Sequence, residues 1–158
     1  RLPDGSICTV FTEPGAPERG HWIYDRPFSD DVREALVAGA RQTEHRVRAV
    51  GCYGHVDGPR FNTETEIRQL QAAGVTAVSQ TGGPETVLFG ELQVPYALMG
   101  FATDYANGIS PNGPTPVEEL IELMGQSTSA FGDVLSEALP GLAGSSPRAP
   151  GVVYRFEQ

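Results

Sequence analysis

The chain has 158 residues, 39% hydrophobic and 20% charged, with a formal net charge of −9 and a pI near 4.7. This length and balance describe one globular domain able to bury a core. Only 11 basic residues are present and none form a run, which argues against nucleic-acid and anionic-membrane partners, because phosphate neutralisation requires clustered Lys and Arg.

In chain order, Ile7 to Thr12 is β-branched and bounded by turn residues, and is predicted to be a strand. A loop over 13–19 contains Pro14, Gly15 and Pro17. Ser29 is the expected N-cap of an amphipathic helix over 30–44, with Asp30 and Asp31 favourably placed in its first turn. Val47 to Tyr53 is predicted to return to strand before a loop over 54–62. Thr63-Glu64-Thr65-Glu66 has the pattern of a capping box, opening a helix that Gly74 terminates. Val75 to Gln80 is a further expected strand, and Gly82-Gly83 a turn. Pro84 is well placed at the first position of a helix over 84–92.

Pro95 to Ala102, apolar at nearly every position, fits a strand covered on both faces. A Gly-, Asn- and Pro-rich loop over 104–116 leads to a long helix over 117–139, with a possible break at Gly125. Residues 140–151 are rich in Gly, Pro and Ser and expected to be mobile, while 152–156 is expected to dock as an extended segment. The domain is thus expected over 1–140, followed by a tail over 141–158. Alternating strands and helices predict an α/β fold around a central mixed sheet. Four or five strands are few for such a sheet, and the chain opens on Arg1 rather than Met. Both features lead to the expectation that N-terminal strands are missing from this chain.

Cys8 and Cys52 lack CxxC or metal-ligand spacing, so reduced thiols on buried strands, no metal site and a cytoplasmic setting are expected. No stretch approaches the ~20 apolar residues of a membrane span.

Three corners carry chemistry. Gly58 to Glu66, Thr81 to Glu85 and Ala102 to Tyr105 each join the end of an apolar run to a turn or helix start. In an open α/β layout that edge collects ligands. Together they supply an aromatic (Phe61), hydroxyls (Thr63, Thr81) and a carboxylate (Asp104), a set suited to a flat heterocycle and a sugar.

These residues, Gly58-Pro59-Arg60-Phe61 with Thr63 and Glu66, Thr81 with Pro84-Glu85, and Ala102-Thr103-Asp104-Tyr105, resemble the second half of the purine nucleoside phosphorylase family, closest to its methylthioadenosine phosphorylase branch. The likeness extends upstream through His21 and Pro27-Phe28. It implies phosphorolysis of a purine nucleoside, with inorganic phosphate as co-substrate and no cofactor, usually in a trimer-based oligomer with active sites near subunit interfaces.

The resemblance further implies that Asp104 is the general acid at purine N7 and selects a 6-amino base, and that Phe61 stacks on the base. It places Thr81 at the phosphate, Val78, Ser79 and Gln80 along the strand end beside the ribose, and His21 near the 5′ substituent of a neighbouring subunit's site. Desolvation at an apolar strand end would suit Asp104 to acid catalysis.

Three departures stand out. Gln80 occupies a position that is normally Met, so it either hydrogen-bonds the sugar or marks an altered one. Ala106 replaces a second Asp, which removes one contact to the exocyclic amine; Asn107 is the nearest amide that would compensate. The Gly-Gly-Ser/Thr turn and Arg-His pair that build the family's phosphate site are not in this sequence. An N-terminal segment or partner chain is therefore expected to complete the site. A phosphate-independent nucleoside hydrolase and a non-catalytic nucleoside-binding subunit are the alternatives.

Overall fold

The computed structural model describes residues 4–13 and 15–155; Arg1, Pro14 and Phe156, which entered the sequence reading, lie outside them. The order of elements is β1 (His21–Ile23), α1 (Asp30–Ala40), β2 (Tyr53–His55), α2 (Glu64–Ala72), β3 (Ala77–Ser79), α3 (Gly83–Glu91), α4 (Val117–Leu142) and β4 (Val152–Tyr154). Among the described residues the strands form two pairs. β2 and β3 run parallel in the register Tyr53↔Ala77, Gly54↔Val78, His55↔Ser79, and β1 and β4 run antiparallel. The class is mixed α/β as expected, but its sheet is present as two short pieces.

Several local expectations hold because their determinants lie within one turn. Ser29 caps α1 by accepting from the Val32 N–H at 3.4 Å. Thr63 and Glu66 form the reciprocal capping box of α2. Pro84 sits in the first turn of α3, whose N-cap Gly82 adopts φ 81°, a left-handed conformation that glycine enters without a Cβ clash. α4 continues through Gly125 without a break, and Pro140 lies in its final turns.

The strand expectations for 7–12 and 95–102 fail. Both runs have strand-like composition but no ladder partner among the described residues. Segment 7–12 is held instead by the Glu91 carboxylate, which accepts from the Val10 N–H at 2.7 Å and from the Thr9 hydroxyl at 2.9 Å. Segment 95–102 is anchored through Tyr96, whose ring stacks on Phe89 at 4.8 Å and whose carbonyl accepts from the Ser29 N–H at 2.7 Å. Of Val47 to Tyr53 only Tyr53 enters a strand, and Val50 is 74% exposed.

The cysteines are also corrected. Cys52 is exposed, and Cys8 is half-buried outside any strand, where burial and then the nearby Glu91 charge push its thiol up. The stretch 140–151, expected to be loose, is held by the Arg148–Asp31 and Trp22–Pro150 contacts.

The core is narrow. Among the described residues its buried apolar members are Ala40, Ile67, Ala130, Val134 and Ala138, four of them on the helices α1 and α4 that pack together. Small side chains let these helices approach closely. A Cβ on Gly39 would stand 2.7 Å from the Ala138 backbone nitrogen and 2.8 Å from the Val134 carbonyl, so the contact requires glycine. No helix among the described residues is long and apolar enough to cross a membrane.

Candidate active site

Parallel pairing sends the C-terminal ends of β2 and β3 to the same edge, where the chain turns into the 56–62 and 80–82 loops. Both loops lead into helix N-termini, α2 after Thr63 and α3 after Gly82. Main-chain amides therefore converge at this edge, the usual setting for a polar ligand in an α/β layout.

Side-chain hydrogen bonds join the three corners. Gln80 Nε2 donates to the Arg60 carbonyl at 2.9 Å, tying the end of β3 to the Phe61 loop. Asn107 Nδ2 donates to the Asn62 carbonyl at 3.1 Å, tying the Asp104 loop to the same place. Ser79 and Thr81 share a hydroxyl–hydroxyl contact of 3.1 Å, and the Thr81 N–H donates to Ser79 Oγ at 3.3 Å. Asp104 accepts from the Thr103 hydroxyl at 2.7 Å. Phe61 is 79% exposed, so it serves no core and its ring is available to a planar partner.

The electrostatics are set by Arg60 and Glu66, which pair through two bonds of 2.9 and 2.7 Å. The Arg60 guanidinium, then the Thr63 N–H and hydroxyl, lower the Glu66 carboxyl to about 2. The cation at this corner is thus already neutralised. Hydroxyls, amides and an aromatic ring face outward, with no unpaired arginine beside them among the described residues.

Of the residues expected at the site, Phe61, Val78, Ser79, Gln80, Thr81, Asp104 and Ala106 lie on the three corners and the strand leading to them. His21 does not join them; it sits on β1, in the other sheet. Asp104 is exposed rather than desolvated, contrary to the expectation of an apolar setting. The Gln80 amide is engaged by Arg60, and the Asn107 amide by Asn62. Both therefore act first as loop ties. The sequence signal for these ties was weak, because an amide side chain does not reveal a partner 20 or 45 residues away. An open groove of about 450 Å³ lies elsewhere, between 23–31 and 148–151.

The sequence profile of the Phosphorylase superfamily matches residues 3–140. The chain belongs to the Phosphorylase superfamily. Among its relatives, it is 37% identical over 119 residues to a protein of Thermococcus kodakarensis named a probable 6-oxopurine nucleoside phosphorylase, covering 75% of this chain and 44% of that protein. It is 34% identical over 122 residues to a probable S-methyl-5'-thioinosine phosphorylase of Methanothermobacter thermautotrophicus, covering 77% and 41%.

The fold resembles methylthioadenosine phosphorylase from Schistosoma mansoni in complex with adenine, with a TM-score of 0.76 at 23% identity over 90% of this chain and 56% of that one. The chain spans about half the length of these family members.

Proposed function

We propose that this chain supplies the base- and sugar-binding part of a purine nucleoside phosphorylase. The observation that carries the reading is the convergence of Phe61, the Ser79–Thr81 hydroxyl pair and Asp104 on one edge, in a chain of this family. Phe61 stacks on the purine. Asp104, protonated once the bound base and the completing part of the assembly shield it from water, donates a hydrogen bond or proton to N7 as the C1′–N9 bond breaks and charge accumulates on the leaving base. Phosphate attacks C1′ from the opposite side, giving free base and ribose 1-phosphate, and the Thr81 hydroxyl contacts it. His21, on a separate edge, serves the 5′ substituent of a neighbouring subunit's site in a trimer-based oligomer.

A completing segment or partner chain supplies the remaining phosphate donors. Two observations support this part of the reading. Arg60 is paired with Glu66, which among the described residues leaves no unpaired arginine at the corner to offset the cost of desolvating an anion. The accessible surface of 11221 Å² also exceeds the about 7,700 Å² of a compact monomer of this mass.

The 6-substituent remains a choice between two readings. Asp104 fits a 6-amino base by family resemblance, whereas Ala106 and the names of the relatives above favour a 6-oxo base. Incubation with methylthioadenosine and methylthioinosine, with and without phosphate, tests both, with free base and sugar phosphate as readouts. Phosphate-dependent release is expected only when the completing segment is present. Full activity of the 158-residue chain alone would overturn the two-part reading. Base release without phosphate would replace phosphorolysis with hydrolysis, and nucleoside binding without turnover in the completed assembly would identify a binding subunit.

A further inference from the structure

We propose that residues 147–155 form a strap that positions the His21 edge. The strap lies beyond residues 3–140, the stretch matched by the family. β1 has only three residues, too few to hold a fixed place without a partner, and three fastenings bracket it. Ahead of β1, Arg155 Nε donates to the Glu18 carbonyl at 2.9 Å. Along it, β4 pairs in the register His21↔Tyr154, Trp22↔Val153, Ile23↔Val152, and the Trp22 indole N–H donates to the Pro150 carbonyl at 2.9 Å. Beyond it, the Arg148 backbone N–H donates to the Asp31 carboxylate at 2.8 Å, and its guanidinium adds two bonds of 3.3 Å, tying the strap to the first turn of α1.

Trp22 is the junction. Its ring lies against Gly90 of α3 on one side and within 3.9 Å of the Tyr24 ring on the other. α3 begins immediately after Thr81 and Gly82, so one side chain links the strap, β1 and the helix that starts at the candidate site. The Arg148–Asp31 pair is largely exposed and contributes modestly. The strand pairing and the indole hydrogen bond carry the positioning.

The placement of the strap stands on these contacts alone; its kinetic consequence rests on the proposed role of His21. Hydrogen exchange of the full chain tests the first part. Trp22→Phe keeps an aromatic ring and removes the donor, Arg148→Ala removes the two guanidinium bonds to Asp31 and keeps the backbone one, and a chain ending at Ser146 removes the strap. Amides in 20–28 are expected to exchange about tenfold faster in Trp22→Phe and in the shortened chain and about twofold faster in Arg148→Ala, with 53–55 and 77–79 unchanged, and Arg148→Lys to recover part of that protection.

If the shortened chain exchanges everywhere, the two point variants decide. Unchanged exchange at 20–28 in both would overturn the strap. In the completed enzyme, Trp22→Phe is expected to raise KM about fivefold for a 5′-methylthio nucleoside relative to a 5′-hydroxyl one, with kcat retained. Faster exchange without that KM change would overturn the role of His21 and leave the strap standing.

Discussion

At the residue scale, the candidate site consists of groups whose roles depend on what else each one binds. Among the described residues Asp104 meets only the Thr103 hydroxyl, so its second oxygen is available to a leaving base. Asp104→Ala is expected to lower kcat of the completed enzyme by about 10²–10⁴ with a smaller change in KM, measured by steady-state release of free base.

Glu66 illustrates the opposite case, a carboxylate whose partners are all within the protein. Its ordinary value of 4.5 falls to about 2 in the folded chain. A depressed carboxyl contributes stability that is fully present above its unfolded value and is lost as pH falls through its folded value. The contribution should therefore be complete above about pH 4.5 and disappear toward about pH 2. Thermal unfolding followed across that window should show a shallower pH dependence in Glu66→Gln than in the parent chain, and equal slopes would contradict the Arg60 pairing.

Elements in this chain are set by caps and by small residues. α2 begins where Thr63 accepts from the Glu66 N–H and Glu66 accepts from the Thr63 N–H. Thr63→Ala is expected to cost about 1 kcal/mol, read by denaturant unfolding. This cap was legible in the sequence because its partners are three residues apart.

The seam between α1 and α4 was legible only as two amphipathic patterns. Its closeness at Gly39 and Ala138 depends on which faces meet. Gly39→Val is expected to destabilise by about 1–3 kcal/mol through overpacking, with a lower midpoint in the same measurement. The runs 7–12 and 95–102 were misread for a related reason. β propensity reports how well a residue suits a pleated surface, and a strand also requires a neighbour to pair with.

At the scale of the whole molecule, the surface is too large for the mass. Val117, Ile121 and Met124 of α4, with Ile7, Val50 and Leu92, are exposed apolar groups that a self-contained domain would cover. On the proposed two-part reading, the isolated chain is expected to bind a hydrophobic dye strongly and to lose that signal when a completing segment is added. Weak dye binding by the isolated chain would count against an uncovered surface. Composition is compatible with a closed domain, but it does not report how much apolar surface finds a partner within the chain.

The sequence by itself determined the α/β class, the caps of α1 and α2, the start of α3 and the identity of the residues at the three corners, because each depends on neighbours within a few positions or on a motif that survives without coordinates. Only the tertiary structure decided that Gln80 and Asn107 tie those corners together, that Asp104 stands exposed, that His21 lies on a separate sheet, and that 147–155 is fastened to β1. These depend on contacts between residues 20 to 137 apart, where the side chain specifies a hydrogen-bonding capacity and the packed fold alone selects the partner.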